Sequence, residues 1–261
     1  MNKDRILILA DFTEGNACAI DFSLKYLCSE NSKIYLMQTW QKPSFGSSML
    51  RDIAPILKDI SNGELNALKN KVLKEYQLQD DRVELLSFEG DLLNFFKSDV
   101  YRNENWQVVL SLKENSSDLQ FNPRFKEIVE ASNQTLYILN HCNPGEQINQ
   151  IYVRNDKATI STPILGSLQK ICSEQKCNVL VDLDSNHITS DEKAKMMKRF
   201  ENACGNASVK TKNRSENGQE TPGSKSLSIY HIDQSVKKKS DLLSYFDKWF
   251  VKSKGITVRN F

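Results

Sequence analysis

Two stretches of the chain, 144 positions apart, carry closely similar residues. Residues 23–31 read SLKYLCSEN and residues 167–175 read SLQKICSEQ, with five identities in nine positions. A duplication constrains a fold strongly, because each copy must build the same elements. The sequence therefore predicts two related units, 1–143 and 144–261, joined at an Asn-Pro-Gly turn. Two apolar runs align at the same offset: 6–11 with 150–155, and 34–37 with 178–181.

The first unit alternates short apolar runs with segments of helical periodicity. Residues 5–12 are almost continuously apolar, as parallel strands buried on both faces are. Thr13 is a suitable N-cap for the helix that follows, in which Ala17, Ile20 and Leu24 recur on one face. The predicted strands are 5–12, 33–40, 82–88, 106–112 and 134–139, and the later helices are 50–76, 91–101 and 123–132.

The second unit repeats this order in a shorter form. A polar stretch that contains Gly and Pro, 213–226, replaces its third helix and is expected to be a loop. In the corresponding helix of the first unit, 91–101, we expect Leu92, Phe96 and Val100 to face the core. The predicted strands are 148–154, 178–183, 208–212, 227–232 and 256–260, and the helices are 162–174, 191–203 and 236–252.

The order of strands and helices predicts the fold class. Alternating strands and helices call for parallel strands with right-handed crossovers. We therefore expect an α/β fold of two tandem, doubly wound, parallel five-stranded sheets. Ligands of such sheets bind beyond the carboxyl ends of the strands, where the strand order reverses. Asp11 ends the first strand at such a place, although a carboxylate beside a helix start is also favourable without a ligand.

Composition narrows the classes of function. With 39% hydrophobic residues, 26% charged residues and a net charge of +2, the chain is not a typical nucleic-acid or membrane-surface binder. No apolar run reaches the roughly 20 residues of a membrane helix, and residues 1–4 are too polar to open a signal peptide, so we expect the cytoplasm. The six cysteines are expected to be buried thiols, and the three histidines are too far apart to suggest a metal site.

Three stretches of the first unit carry a family resemblance: LADFT at 9–13, NACAIDFSLKYL at 16–27 and VELLSFEGD at 83–91. They are similar to the UspA-like universal stress proteins, whose first strand commonly ends Pro-Thr-Asp-Phe-Ser. The second unit resembles this family only through the internal repeat and the order of elements. The resemblance implies a tandem protein of two Rossmann-like domains, related to the adenine nucleotide alpha hydrolase fold.

Members of the family that bind ATP carry Gly-x2-Gly-x9-Gly-(Ser/Thr) after the fourth strand, where glycine amides can approach phosphates. Residues 111–135 contain no glycine, and neither does the corresponding stretch 229–250. The resemblance matches Asp11 to the carboxylate that recognises adenine and places Gly90 near the wall of the same pocket, while Asn155 stands opposite Asp11 in the second unit. We therefore expect a degenerate nucleotide site, no cofactor, and a structural role for Asp11.

Three functions follow as hypotheses. The first is a non-catalytic stress-response protein that binds an unidentified protein partner and no ATP. The second is a regulatory switch that responds to ATP or AMP, in which Asp11 contacts adenine and Ser116 or Ser117 replaces the lost glycine amides. The third is an enzyme, which is disfavoured because the chain has no GxSxG elbow, P-loop lysine or recognisable triad.

Two further expectations concern assembly and the thiols. Single-domain members of the family pair through their fifth strands, so the resemblance implies an internal contact between 134–139 and 256–260. That contact would give a pseudo-symmetric monomer, or a homodimer of such chains. A redox role for Cys172 and Cys177 would need exposed thiols with a lowered pKa, which the sequence does not indicate.

Overall fold

The computed structural model describes residues 4–10, 14–42, 53–112, 131–132, 134–140, 147–155, 159–183, 188–205, 207–211 and 226–231. Within these ranges the strands are β1 Arg5–Leu9, β2 Lys33–Trp40, β3 Val83–Glu89, β4 Trp106–Leu112, β5 Thr135–Asn140, β6 Gln150–Asn155, β7 Asn178–Asp182, β8 Ser208–Thr211 and β9 Ser226–His231. The helices are α1 Glu14–Phe22, α2 Ala54–Tyr76, α3 Leu92–Lys97, α4 Asp99–Arg102, α5 Thr162–Glu174 and α6 Ser190–Cys204, with a π-helical segment Ser23–Leu27 directly after α1.

The strands form one sheet in the order β3-β2-β1-β4-β5-β9-β6-β7-β8. All neighbouring strands are parallel except β5 and β9, which pair antiparallel at the centre. The predicted α/β class is therefore confirmed, and the first half has the doubly wound order β3-β2-β1-β4-β5. The two sheets that were expected are joined by the β5–β9 ladder into one continuous sheet.

The strand that meets β5 also differs from the expectation. One edge of β5 pairs with β4, and the other pairs with β9 from Thr135 opposite His231 to Asn140 opposite Ser226. Both edges of β5 are thus occupied by described strands, of which β9 comes from the second half. The predicted strand 256–260, the helix 236–252 and most of the helix 123–132 lie outside the described part of the chain.

The two halves keep the same register between their first and second strands. Ile6 lies opposite Ile34 in the first half, and Gln150 lies opposite Asn178 in the second, at the offset of 144 that the sequence shows. The first and fourth strands also pair in both halves, through β1 with β4 and β6 with β9. Because β5 and β9 run in opposite directions, the carboxyl ends of the two sets of strands lie at opposite edges of the sheet.

Helices cover both faces of the sheet. One face packs against α1, α2, α5 and α6 in a continuous apolar core, with Phe22, Leu65, Leu168 and Phe200 among its buried side chains. The other face packs against α3 and α4 around Phe95, Phe96 and Tyr101. The near-complete burial of β1 and β4 explains why these strands read as continuous apolar runs.

The third helix differs from its prediction. A single helix over 91–101 was expected, but Ser98 has extended backbone (φ −76°, ψ 156°) and separates α3 from α4. Its hydroxyl donates to the Phe95 carbonyl oxygen at 2.6 Å. The break changes which residues face the core: Tyr101 is buried, whereas Val100 is 54% exposed. The expectation that Val100 packs inward is therefore wrong.

Helices of the two halves also contact each other. The Lys25 Nζ lies 2.7 Å from a Glu174 carboxylate oxygen, and the Gln175 side-chain amide donates to the Tyr26 hydroxyl at 3.2 Å. These contacts place the π-helical segment of the first half against the end of α5. No helix among the residues that the structure describes is long and apolar enough to cross a membrane.

Candidate functional site

The first candidate site lies where the strand order reverses in the first half, between the carboxyl ends of β1 and β4. After β1, the Ala10 N–H donates to the Met37 carbonyl oxygen at 2.7 Å, which continues the pairing of β1 with β2. Residues 11–13 lie outside the described part of the chain. The role of Asp11, as a ligand group or as a helix-start group, therefore stays a prediction, as do the roles of Ser116 and Ser117.

Two polar side chains mark the described part of this crevice. Asn16, the third residue of α1, is only 3% exposed, and Ser111 lies on β4 two residues beyond Val109, which pairs with Ile8. Val109 and Ser111 point to the same face because side chains alternate along a strand, and α1 packs on that face. Neither the Asn16 Oδ1 nor the Ser111 hydroxyl has a hydrogen-bond partner within the described structure.

Buried polar atoms without partners cost free energy, so they suggest a place where a polar ligand could bind. The Gln38 Oε1 on β2 is a third buried atom of this kind, although its amide nitrogen donates to Glu64 at 2.7 Å. Amide and hydroxyl groups can hydrogen-bond a neutral ring or a sugar. They supply neither positive charge nor clustered backbone amides for a phosphate.

Gly90 lies next to the end of β3 rather than between β1 and β4. Its N–H donates to the Trp40 carbonyl oxygen at 2.8 Å, and its φ of +131° is a conformation that favours glycine. Since β2 separates β3 from β1, Gly90 is about 10 Å from the first strand at the usual strand spacing. Its role as part of a pocket wall stays a prediction.

The equivalent edge of the second half contains a row of polar side chains on three adjacent strands. Asn155 on β6 pairs with His231 on β9, and His231 pairs with Thr135 on β5. The Thr135 hydroxyl oxygen lies 3.2 Å from the His231 Nδ1, and the Asn155 amide nitrogen lies 3.6 Å from the Met196 sulfur. All three side chains are at most 8% exposed, and Met196 of α6 packs against Asn155.

This polar row lacks the geometry of a catalytic triad. The Thr135 hydroxyl contacts the His231 Nδ1, and burial leaves little access for a substrate. No group of three or more His, Cys, Asp or Glu side chains in the described ranges is arranged to hold a metal ion. The row contributes instead to the junction of the halves, because Thr135 belongs to the first half and His231 to the second.

The cysteines follow the sequence expectation in part. Cys177 and Cys204 are buried free thiols, and Cys28 and Cys172 are half-buried thiols that pack against the large core. Burial raises the pKa of the Cys28 thiol to about 11, which keeps it protonated near neutral pH. Cys18 is disulfide-bonded, so the expectation of a free thiol is wrong at that position.

Comparisons with known proteins identify similar folds. No protein-family model matches the sequence, and no curated protein matches it. A universal stress protein from Archaeoglobus fulgidus is 11% identical over 80% of this chain and 76% of its own, with a TM-score of 0.48. A proposed universal stress protein from Pseudomonas aeruginosa is 9% identical over 88% of this chain and 93% of its own, with a TM-score of 0.40.

The cytoplasmic domain of a prokaryotic cation chloride cotransporter is also similar, with 12% identity over 90% of this chain and 97% of its own and a TM-score of 0.40. The structural neighbours thus include universal stress proteins, the family that the sequence resembles. Matches this distant decide nothing about ligand, partner or activity, and the fold assignment rests on the strand order itself.

Sequence reasoning missed Asn16, Ser111, Thr135 and His231. Two of them left a readable signal: Ser111 interrupts the apolar run WQVVLSL, and Asn16 lies one helical turn before the buried Ala19 and Ile20. Thr135 and His231 left none, because they meet only through the antiparallel pairing of strands that are 96 positions apart in sequence.

Proposed function

We propose that this chain is a non-catalytic stress-response protein that acts by binding a protein partner and does not bind ATP. The observation that carries the proposal is the burial of polar side chains at the carboxyl edge of the second half. There Asn155, His231 and Thr135 are buried, and Asn155 contacts Met196 of α6. A nucleotide at that edge would have to displace this packing.

For the first half, support comes from the chain after β4. A phosphate site built from backbone needs residues that allow close approach, and residues 111–135 offer no glycine. The stress-response part of the proposal rests on the resemblance at 9–13, 16–27 and 83–91, since the structural matches are too distant to carry it.

A thermal-shift titration of the full chain with ATP, ADP and AMP tests the proposal. A ligand present at 100 times its Kd would add about 2.7 kcal/mol of stability, which is a shift of a few degrees. We expect no shift at millimolar nucleotide and no nucleotide released by acid from the purified protein. A saturable shift with ATP, or ATP carried through purification, would overturn the proposal.

The polar atoms at the β1–β4 crevice favour a second candidate, a switch that responds to AMP or ATP through the first half. The Asn16 Oδ1 and the Ser111 hydroxyl would bind the base or the ribose, and Asp11 would recognise adenine. In that case Asp11→Ala and Ser111→Ala should each abolish the thermal shift with nucleotide. Asn155→Ala should leave the shift in place, because Asn155 lies at the opposite edge of the sheet.

We also propose that the chain consists of two domains, 1–143 and 144–261, and that it is located in the cytoplasm. We further propose that it is a pseudo-symmetric monomer or a homodimer of such chains. The shared register of β1 with β2 and of β6 with β7 supports the tandem relation of the two units. Light scattering on the eluted full chain would give its mass, and a stable trimer or larger assembly would contradict this part of the proposal.

A further inference from the structure

Three cysteines meet at the amino end of β7. Cys172 belongs to the last turns of α5, Cys177 directly precedes β7, and Cys204 is the last residue of α6. The Cys172 and Cys177 sulfur atoms are 3.3 Å apart, and the Cys204 thiol is near enough to influence the pKa of Cys172. All three are free thiols. Cys172 and Cys177 are close in sequence, but no sequence signal indicates that Cys204 lies near them, because the end of α6 brings it there.

We propose that Cys172 and Cys177 are a dithiol–disulfide couple that exchanges with low-molecular-weight disulfides. The turn between α5 and β7 already holds the two sulfur atoms in contact, so bond formation needs only a small approach. The turn is fixed at both ends: the Gln175 N–H donates to the Ile171 carbonyl oxygen at 3.1 Å, and the Asn178 N–H donates to the Asn149 carbonyl oxygen at 2.9 Å.

Burial assigns different roles to the two thiols. Cys172 is half-buried and can meet a small disulfide from solvent, whereas Cys177 is 6% exposed and can be reached only from Cys172. The hydrogen bond with Cys177 lowers the pKa of the Cys172 thiol, but the contact with Cys204 and burial outweigh it and raise that pKa to about 12. The pKa of the Cys177 thiol is raised as well, so neither thiol has the lowered pKa of a fast redox sensor. The contact of the two sulfur atoms favours the disulfide, and the small fraction of thiolate at neutral pH makes the exchange slow.

The thiol–disulfide exchange proceeds in two steps. The Cys172 thiolate attacks one sulfur of the small disulfide, a mixed disulfide forms on Cys172, and one small thiolate leaves and takes up a proton. The Cys177 thiolate then attacks the Cys172 sulfur and expels the second small thiolate. Two electrons pass from the protein dithiol to the small disulfide, which leaves as two thiols.

The Cys172–Cys177 couple lies beside the residues of the second half that contact the first half. Residues 172–177 include Glu174, which pairs with Lys25, and Gln175, which donates to Tyr26. The Gln175 Oε1 also accepts from the Ile148 N–H at 2.9 Å. A disulfide closes this turn between the residues that contact the first half, so oxidation restrains the same segment that connects the halves.

Mass spectrometry of the full chain in glutathione buffers tests the proposal. The reduced protein is equilibrated with rising ratios of oxidised to reduced glutathione, quenched with acid, alkylated and cut with trypsin. Cleavage after Lys176 separates the thiols, so the disulfide joins peptides 171–176 and 177–193, while Cys204 lies in peptide 200–210. We expect the joined pair to accumulate, with alkylation of both thiols falling about tenfold, and to disappear when excess reductant is added.

Two variants make the result specific. Cys177→Ser should prevent the disulfide between the two peptides and leave Cys172 carrying glutathione. Cys28→Ser removes another half-buried thiol and should leave the amount of that disulfide unchanged. Two results with the unmutated chain would overturn the proposal. One is full alkylation of Cys172 and Cys177 in oxidised buffer, and the other is a dominant disulfide between peptide 171–176 and peptide 200–210.

Discussion

At the scale of single residues, Gly90, which directly follows β3, has little space for a side chain. A Cβ added at this position would lie 3.1 Å from the Phe88 Cε1 and 3.3 Å from the Asn94 Cβ, and φ is +131°. We predict that Gly90→Ala lowers the free energy of unfolding by about 1–3 kcal/mol, through strain at a conformation that L-residues rarely adopt. Urea unfolding measures this difference.

Gly63 provides a matched control. It lies inside α2, and a Cβ there would meet nothing within 4 Å. Gly63→Ala should therefore raise the free energy of unfolding by about 0.5–1 kcal/mol, because alanine loses less backbone freedom in a helix. Equal effects of the two substitutions would contradict the assigned strain at Gly90.

At the scale of elements, α6 begins with a reciprocal capping box. The Thr189 hydroxyl accepts from the Glu192 N–H at 3.3 Å, and the Glu192 carboxylate accepts from the Thr189 N–H at 2.8 Å. We predict that Thr189→Ala lowers the free energy of unfolding by about 1 kcal/mol, while Ser190→Ala, one position later, changes it by less than about 0.5 kcal/mol. Thermal unfolding of both variants compares the two positions, and a larger effect at Ser190 would contradict the assigned cap.

The same box predicts a dependence on pH. The backbone hydrogen bond from Thr189 holds the pKa of the Glu192 carboxyl below its usual range. A carboxyl whose pKa is lowered on folding contributes stability above its unfolded pKa of about 4.3, and this contribution is lost as the pH falls through the folded value. Unfolding of Glu192→Gln should therefore differ from that of the parent chain at pH 7 and converge with it below about pH 3; a constant difference would contradict the hydrogen bond.

Elements were predictable where local signals decide them. The apolar runs placed β2 at Lys33–Trp40 and β4 at Trp106–Leu112 with no error in their bounds, and the helix Thr162–Glu174 was also placed correctly. The break at Ser98 was not predictable, because an apolar period runs across it and the burial of Tyr101 in place of Val100 appears only in the folded structure. At the candidate site, Ser111 and Asn16 left sequence signals, whereas Thr135 and His231 depend on long-range pairing.

At the scale of the whole molecule, the β5–β9 ladder makes the two halves depend on each other. The β5 residues Leu136, Tyr137, Ile138 and Leu139 are all buried, and both edges of the strand are paired. A contact between the halves was expected, but the strand β9 was not expected to form it, because the direction and register of pairing between remote strands have no local signal.

This dependence predicts the behaviour of the isolated first half. A chain of residues 1–143 would expose the β5 edge that β9 covers in the full chain, and exposed apolar edges pair with other chains. We expect that half to dimerise or aggregate at concentrations where the full chain keeps a single mass. Light scattering on both proteins at matched concentration makes the comparison, and a soluble monomeric half would contradict the assigned role of the ladder.

The central functional claim is that neither carboxyl edge binds ATP. Hydrogen–deuterium exchange of the full chain, with and without millimolar ATP, tests it at both edges in one experiment. We expect equal exchange with and without ATP in the peptides that carry Asn16, Ser111, Asn155 and His231. Slower exchange with ATP around Asn16 and Ser111 would contradict it and assign nucleotide binding to the first half.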